Sequence, residues 1–420
     1  MRNRVLSALI IVFVLVSGIA EVEAAKNIKL TLWGWNIGID ALKAVASKFK
    51  ETHPNVDFDF VEMNVQDVHD KLKASLMAGV GAPDICTVEQ YYVQQIASKG
   101  GLVDLTKELQ GLENKFARHA WVASKFRGSL YAIPWDIGPC ALYYRKDIFD
   151  SLGVKPPRTW ADFVTVGKKV AADLNGDGTL DRYMLNIPLN DPYGYFMFIW
   201  SKKLKIFDEN GNLVVDNPEA FEVMKWYTDL YLVHHVALPQ NYWEPAWFNA
   251  IKEGRLATIP MAVWFAGQLK TQAPELSGKW RVSDWPSATG EKTGTNWGGS
   301  TLVIPVQSKH KKEAIEFAKF MLATTEGQIL SYKASNIFPA YLPALNSPVF
   351  KEPDPYFGGQ VIGKIFVDSV PYISEWYYPV HMQAAEQAFN TLLAKVLNRK
   401  ATLKEAWDEA IRAIKKEMAR

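Results

Sequence analysis

The sequence predicts an α/β protein of two lobes, each with a mixed or mostly parallel sheet flanked by helices. The chain has 420 residues, more than one hydrophobic core normally organises, so two domains are expected. Its apolar content of 48% and charged content of 22% are those of a packed globular protein. Strand-like and helix-like segments alternate in the first half of the chain, which is typical of parallel sheets.

The periods of apolar residues predict a β-α-β-α-β order at the start of the mature chain. Residues 28–32 alternate between apolar and polar, as in a strand with one buried face. Apolar residues at helical spacing follow in 42–49, and alternation returns in 56–60. Because ligands of such sheets bind beyond the carboxyl ends of the strands, we expect 33–36 and 87–91 to lie near a ligand.

Helix-start signals mark the second half of the chain. Thr159 and Asp162 have capping-box spacing, and Thr402 begins a similar motif before the last helix. Asn217 precedes Pro218, which favours a helix with proline at its first position. The second half therefore also contains capped helices, with no low-complexity linker between the lobes.

Residues 1–24 have the composition of a cleaved export signal. Arg2 and Arg4 precede an apolar run over 5–19, and a small residue, Ala24, stands at the cleavage position. The run is shorter than the roughly 20 residues of a membrane span. Since no cysteine lies near the cleavage site, we expect a periplasmic or extracellular protein without a lipid anchor.

Charge and cysteine content narrow the class of protein. The chain has 47 Lys and Arg against 45 Asp and Glu, and the absence of a basic stripe argues against nucleic acid as a partner. The only cysteines are Cys86 and Cys140. In an exported protein they form a disulfide or remain two buried thiols, and the sequence leaves both alternatives open.

An ordered set of short motifs runs through nearly all of the mature chain. The motifs are Gly81-Ala82-Pro83-Asp84-Ile85, Gly100-Gly101-Leu102-Val103-Asp104-Leu105, Tyr131-Ala132-Ile133-Pro134, Leu142-Tyr143-Tyr144-Arg145-Lys146-Asp147, Pro157-Arg158-Thr159-Trp160, Gly254-Arg255-Leu256-Ala257 and Trp297-Gly298-Gly299. In these motifs the chain resembles the extracellular solute-binding proteins of maltose-binding type (family 1), the capture subunits of ABC sugar importers. The resemblance implies a monomeric binding protein, not an enzyme, that delivers its ligand to a membrane permease.

The resemblance also implies the type II periplasmic binding protein fold, whose discontinuous lobes are joined by a three-segment hinge. The N-terminal lobe is expected to comprise 25–137 and 302–342, and the C-terminal lobe 138–301 and 343–420. The crossings are expected near 136–140, 299–301 and 341–345. The family's lobes close on ligand like a hinge.

Aromatic residues make up 13% of the chain and include 15 Trp, which are expected in cores or on binding surfaces. The resemblance implies that the ligand is a sugar. A pyranose has an apolar C–H face and a rim of hydroxyls, so it needs flat rings and planar polar groups. The predicted binding residues are Trp33, Trp35, Asn36, Glu89, Gln90, Asp136, Trp243, Glu244, Trp247, Trp264, Trp297, Gly298, Gly299, Tyr341 and Trp376. The number of rings favours an oligosaccharide over a monosaccharide. For each ring the alternative interpretation is core packing, and for each carboxylate it is a cap or a solvated surface group.

A segment of the second half resembles an EF-hand calcium loop. Oxygen-bearing residues stand at its alternate positions, with Gly178 at the sixth. These residues are Asp173, Asn175, Asp177, Thr179 and Asp181. The twelfth position is Met184 and not Glu, so the sequence fits either a structural calcium ion or an Asx-turn loop without metal. No cofactor is otherwise required.

Two other classes of protein compete with a sugar-binding protein. A secreted glycoside hydrolase needs two carboxylates about 5 Å or 6.5–9.5 Å apart, and nothing in their spacing singles out Glu244 and Glu375. A binding protein for a non-sugar ligand is the other alternative, because three Tyr-Tyr pairs offer phenolates to ferric ion. The excess of Trp argues against that metal. No dinucleotide fingerprint or P-loop is present.

Overall fold

A computed structural model describes residues 27–419, so the predicted export signal at 1–24 lies outside the described residues. The strands are β1 (Ile28–Gly34), β2 (Val56–Glu62), β3 (Ile85–Glu89), β4 (Lys125–Phe126), β5 (Ser129–Leu130), β6 (Ile133–Pro134), β7 (Cys140–Arg145), β8 (Leu185–Ile187), β9 (Ala237–Pro239), β10 (Thr258–Ala262), β11 (Trp280–Ser283) and β12 (Ser300–Val303). The helices are α1 (Asn36–Phe49), α2 (Val65–Ala78), α3 (Gln90–Ala97), α4 (Arg118–Ala123), α5 (Lys146–Ser151), α6 (Trp160–Val170), α7 (Tyr193–Ser201), α8 (Pro218–Leu232), α9 (Pro245–Lys252), α10 (Phe265–Gln272), α11 (Lys311–Leu322), α12 (Thr325–Ser335), α13 (Ile362–Ser369), α14 (Met382–Leu397) and α15 (Leu403–Met418).

Two main sheets divide these elements between two lobes. The first lobe has a five-stranded sheet in the order β2-β1-β3-β12-β6, with β1 parallel to β2 and β3 and with β12 antiparallel to its neighbours. The second lobe has the antiparallel sheet β10-β7-β11 and a small parallel pair, β8-β9. The predicted α/β architecture with mixed sheets flanked by helices is confirmed.

The chain passes between the two sheets through three neighbouring segments. The first crossing, 135–139, joins β6 to β7, and the second, 284–299, joins β11 to β12. The third follows α12, where Pro339 forms a β-bridge with Asp136. Pro139 forms a second bridge with Asn296, so the crossings lie side by side. Strand β12 already begins at Ser300, two residues before the lobe boundary that the sequence predicts.

Side-chain caps explain where several helices of the second lobe begin. The Thr159 hydroxyl accepts a hydrogen bond from the Asp162 N–H, and the Asp162 carboxylate accepts one from the Thr159 N–H, as predicted. Thr402 and Glu405 form the same box at α15. These caps satisfy backbone N–H groups that have no partner inside the helix.

The two cysteines lie in different lobes and do not form a disulfide. Cys86 belongs to β3 and Cys140 to β7, and both are buried free thiols whose pKa is raised by burial. This answers the question that the sequence left open. Within residues 27–419, no helix is both long enough and apolar enough to span a bilayer.

Candidate functional site

Asp136 ties the crossings together at the base of the cleft between the lobes. Its Oδ1 accepts a hydrogen bond from the Ser300 N–H at 2.7 Å, and its carbonyl accepts one from Gln90 Nε2 at 3.0 Å. The side chain is 8% exposed, and burial raises the pKa of this carboxyl to about 6. Asp136 and Gln90 were both predicted as ligand contacts. In the structure both form hydrogen bonds within the hinge.

Asn296 makes a second set of hinge contacts. Its Oδ1 accepts a hydrogen bond from the Gly138 N–H at 2.7 Å and lies 3.2 Å from His119 Nε2. Its Nδ2 donates to the Gly298 carbonyl at 2.7 Å. His119 belongs to the first lobe, so Asn296 connects that lobe with the first and second crossings.

Two half-buried glutamates face the cleft from opposite lobes. Glu89 ends β3 and accepts a hydrogen bond from the Tyr91 hydroxyl, while Glu386 on α14 accepts one from the Tyr193 hydroxyl at 2.7 Å. Burial raises the pKa of each carboxyl to about 7. The negative charge of Glu386 makes a small contribution to the raised pKa of Glu89.

Asp191 adds a further carboxyl on the side of the second lobe. It precedes α7, and its Oδ1 accepts a hydrogen bond from the Tyr193 N–H at 2.8 Å. Burial raises the pKa of Asp191 to about 6, and its charge helps to raise the pKa of Glu386. Asp191, Tyr193 and Glu386 therefore form one polar group beside the aromatic rings of the second lobe.

Those rings form an aromatic wall made of Tyr193, Trp243, Trp264 and Trp297. Trp297 stacks on Tyr193 with ring centroids 5.5 Å apart and 12° between the planes. The Trp264 indole N–H donates to the Trp297 carbonyl at 3.1 Å. Trp243 lies 5.5 Å from Trp264, is 43% exposed and has a φ of 67°, which is unusual for a residue other than glycine. The wall thus runs from a half-buried tyrosine to an exposed indole.

Gly298 and Gly299 make room for the protein's own side chains. Both have positive φ values, 85° and 128°. A Cβ at Gly299 would lie 2.5 Å from Gln90 Nε2, and one at Gly298 would lie 3.4 Å from Trp264 Nε1. These glycines therefore make room for Gln90 and Trp264, and their contact with a ligand stays a prediction.

Three predicted platform indoles are packed within single lobes instead. Trp33 and Trp35 are 5% and 8% exposed and belong to a core cluster of the first lobe. Trp247 is fully buried in the second lobe, where its indole N–H donates to Asn186 Oδ1 at 3.1 Å. Their side chains pack inside the lobes, which favours the core-packing alternative, and stacking of these indoles on ligand stays a prediction.

Two other predicted aromatic contacts have their faces covered by neighbouring rings. Tyr341 packs edge-on against Phe116, with centroids 5.3 Å apart, and is 7% exposed. Trp376 lies between Trp200, at 4.5 Å, and His119, at 5.1 Å, and is nearly parallel to both. Trp376 therefore joins the lobes by stacking, which favours the core-packing alternative, and its contact with ligand stays a prediction.

Asn36 and Glu244 are exposed and serve local backbone and side-chain contacts. Asn36 Oδ1 accepts from the Ile37 N–H at 2.7 Å, and Glu244 Oε1 accepts from Asn241 Nδ2 at 2.9 Å. Glu375, considered with Glu244 as a hydrolase pair, instead forms an ion pair with Arg118 at 2.9 Å. Asn36 and Glu244 therefore lie outside the polar group formed by Asp191, Tyr193 and Glu386.

Sequence reasoning placed Tyr91 in a segment near the ligand but missed Asp191, Tyr193 and Glu386 as cleft residues. Glu386 did give a signal, because it follows Ala385 on the buried side of α14, where an unpaired carboxylate is costly. Asp191 and Tyr193 lie at a loop-to-helix junction without apolar periodicity. Their proximity to the cleft depends on how the lobes meet, which no local pattern encodes.

In the calcium-like loop, the carboxylates bind the loop's own backbone. Asp173 accepts hydrogen bonds from the N–H groups of Gly176 and Gly178, and Asp181 accepts from those of Leu174 and Asn175. No group of three His, Cys, Asp or Glu within the described chain is placed to hold a metal ion. This geometry fits the Asx-turn alternative better, and calcium binding by Asp173, Asn175, Asp177, Thr179 and Asp181 stays a prediction.

Comparison with known proteins gives a consistent result. The family model for bacterial extracellular solute-binding proteins matches residues 44–355. A lactose-binding protein of Rhizobium radiobacter is 26% identical over 91% of this chain and 92% of its own. An arabinooligosaccharide-binding protein of Bacillus subtilis is 24% identical over 99% and 100%.

A solved structure supports the same fold. The ABC transporter associated binding protein of B. animalis subsp. lactis, in complex with β-1,6-galactobiose, has a TM-score of 0.74 at 25% identity, covering 93% of this chain and 96% of that one. The family match spans well over half of the chain, and the relatives align over nearly all of it. The chain therefore belongs to the bacterial extracellular solute-binding protein family.

Proposed function

We propose that the protein captures a sugar, of oligosaccharide length, in the cleft between its lobes and delivers it to the permease of an ABC importer. The observation that carries the proposal is the aromatic wall, whose Tyr193 hydroxyl donates to the half-buried carboxylate of Glu386. Trp243 and Trp264 offer ring surface to the C–H face of a pyranose. Glu89 and Glu386 offer acceptors to its hydroxyls, one from each lobe.

The chemistry of the relatives supports this choice of ligand. Relatives of the chain include proteins named for binding lactose and arabinooligosaccharides, and a similar structure holds galactobiose. Their ligands contain more than one sugar ring. An aromatic wall that reaches from half-buried Tyr193 to exposed Trp243 fits a ligand of that length.

Closure of the two lobes on the ligand follows from the proposal that the ligand contacts both of them. A ligand that touches both lobes binds the closed state more tightly than the open state, so it shifts the population towards closure. The protein performs no chemistry in this proposal: it binds, closes and releases. We place it outside the cytoplasmic membrane, as a monomer, after removal of residues 1–24.

A thermal-shift screen of the mature chain against neutral glycans of one to five rings tests the proposal. A ligand at 100 times its dissociation constant stabilises the native state by about 2.7 kcal/mol, which raises the melting temperature measurably. Hits are then titrated by following tryptophan emission, and their products are examined by chromatography.

The expected result is saturable stabilisation by particular oligosaccharides, which are recovered intact. Failure of every glycan to stabilise the protein would contradict the sugar assignment. Recovery of cleaved glycan would instead indicate a hydrolase.

A further inference from the structure

One end of the first lobe exposes apolar side chains at the turn that follows α2. Met77 is 86% exposed and Val80 is 70% exposed, the highest fractions among the large apolar side chains of residues 27–419. Gly79, in the left-handed region with a φ of 73°, ends the helix between them. The two side chains contribute little burial to the fold, and an exposed apolar pair of this kind marks a contact surface.

The connection between β12 and α11 is fixed against this turn. Gln307 Nε2 donates to the Ser75 carbonyl at 2.8 Å, and Gln307 Oε1 accepts from the Ala82 N–H at 3.1 Å. The same connection carries Val306, which is 43% exposed. The turn after α2 and this connection therefore form one surface, with exposed apolar side chains on both segments.

The same surface carries a run of basic residues, 309–312, at the start of α11. Lys309 lines one shallow depression together with Val80 and Lys29, so positive charge and apolar surface are adjacent. Lys311 Nζ donates to the Ser308 carbonyl at 2.8 Å. In the described part of the chain, none of the three lysines of the run forms an ion pair with a carboxylate.

The carboxylates near this run are engaged by other groups. Asp84 accepts a hydrogen bond from the Ser308 hydroxyl at 2.6 Å, and Asp59 pairs with Lys29 at 3.5 Å. Glu313 lies in the first turn of α11, where the helix N-terminus favours a negative charge. The surface therefore keeps an excess of positive charge around its apolar side chains.

This surface lies at the end of the first sheet that is remote from the cleft. β1 begins beside it at Ile28, and the parallel strand β3 ends at Glu89 in the cleft. The predicted export signal, 1–24, ends three residues before β1 begins, so an attached signal would bring this end of the lobe to the membrane. A contact made here leaves the mouth of the cleft uncovered.

We infer that this end surface, made of Met77, Val80, Val306 and the run 309–312, binds an anionic membrane surface. Apolar side chains beside lysines match such a surface, because the apolar groups enter the acyl boundary while the ammonium groups contact acidic headgroups. A second copy of the chain would bring the same positive charge and be repelled. In the proposed function, this contact holds the protein beside its importer with the cleft free to capture ligand.

Sedimentation with sucrose-loaded vesicles tests this inference on the mature chain, 25–420. Vesicles of phosphatidylcholine alone are compared with vesicles that contain about 40% phosphatidylglycerol, at low salt and at about 0.5 M salt. We expect partitioning onto the anionic vesicles to be at least tenfold tighter at low salt and to lose most of this advantage at high salt. Equal partitioning onto both kinds of vesicle, or onto neither, overturns the inference.

Met77→Ser/Val80→Ser removes apolar surface and keeps every charge. We expect it to weaken partitioning onto anionic vesicles at least fivefold, because neither hydroxyl gains from entering the acyl boundary. Leu174→Ser/Val233→Ser is the matched control, because these side chains are 64% and 58% exposed in the second lobe. Equal losses in the two double variants would contradict a role for the end surface.

Lys309→Gln/Lys312→Gln removes two positive charges from the end surface. We expect at least fivefold weaker partitioning onto anionic vesicles and no change on neutral ones. Lys364→Gln/Lys404→Gln removes the same net charge elsewhere, from lysines paired with aspartates of their own helices. If this control loses as much, the attraction follows the net charge of the whole chain, and the inference fails.

Sedimentation velocity of the vesicle-free protein examines the second copy as an alternative occupant. We expect a monomer at every concentration. Self-association that disappears in Met77→Ser/Val80→Ser, without vesicle binding by the wild type, would assign the surface to a dimer and overturn the inference. Sugar affinity is expected to be unchanged in all four double variants, so failure of the membrane contact and failure of sugar binding are separate results.

Discussion

The two lobes use tryptophan differently. In the first lobe all four tryptophans, Trp33, Trp35, Trp121 and Trp135, are less than 9% exposed and pack in its core. The second lobe keeps Trp243 at 43% exposure beside half-buried Trp264. The first lobe faces the cleft with Glu89 and the second with rings. In the proposed function, ring surface is therefore offered by the second lobe alone, whereas carboxylate acceptors come from both lobes, so full recognition of a sugar is expected to depend on closure.

The largest expected effect is loss of stability on truncating a core indole of the second lobe. Trp247→Ala leaves a cavity and removes the hydrogen bond to Asn186, so we expect the free energy of unfolding to fall by about 3–5 kcal/mol. Urea unfolding followed by circular dichroism measures the change. A loss below about 1 kcal/mol would contradict the assignment of Trp247 to the core and return it to the cleft.

A smaller effect, on binding and not on stability, is expected at the exposed end of the aromatic wall. Trp243→Ala should weaken binding of an oligosaccharide about tenfold, or about 1.4 kcal/mol, while unfolding changes little. Trp226→Ala is the control, because Trp226 is also a half-buried indole of the second lobe but stacks on Trp160 at 4.6 Å. Equal loss of affinity in both variants would show that the wall has no special role.

These two tryptophans also show what the sequence can and cannot predict. Periodicity placed β1, α1 and the caps at Thr159 and Thr402 correctly, because those signals lie within a few residues of each other. Whether an indole at a strand end or helix start turns inward depends on the opposing elements. Trp33 and Trp247 were therefore assigned to the cleft although they lie in cores.

Glu386 shows the same limit of sequence-based prediction, because it lies at the cleft but was not predicted there. It was missed because it lies in a helix whose pattern predicts packing. Only the approach of Tyr193 and of the other lobe makes it part of the cleft. Contacts between residues far apart in sequence decide the site, whereas local patterns decide the elements that carry it.

The stability of the protein against unfolding is expected to change gradually with pH because of the carboxyls of the cleft. Burial raises the pKa of Glu89 and Glu386 to about 7 from an ordinary value of 4.5, so the folded chain binds more protons than the unfolded chain between these values. Their contribution to stability is therefore largest below pH 4.5 and is lost as the pH rises through 7. Unfolding of the wild type and of Glu89→Gln/Glu386→Gln, compared from pH 5 to 8, isolates this contribution.

Stability of the wild type should fall relative to the double variant over that range. A difference that is constant with pH, or that grows in favour of the wild type, would show that these carboxyls are not buried together. The comparison concerns both lobes at once, because each contributes one of the two groups.

The smallest expected effect concerns the rim of the cleft, where Arg118 of the first lobe forms an ion pair with Glu375 of the second at 2.9 Å. Glu113 also contacts Arg118, at 2.8 Å, and Tyr377 donates to Glu375 at 3.0 Å. The Arg118 side chain is 61% exposed, so we expect a coupling of only about 0.2–1 kcal/mol, reduced by salt.

A double-mutant cycle with Arg118→Ala and Glu375→Gln, read out as sugar affinity at low and high salt, measures this coupling. Because the pair joins the lobes only where they meet, it favours closure and should lower the dissociation rate of ligand more than it changes the association rate. A coupling that appears in unfolding but not in ligand dissociation would assign the pair to general stability. A coupling seen only in dissociation would mean that the rim, as well as the aromatic wall and the carboxyls, distinguishes the closed from the open state.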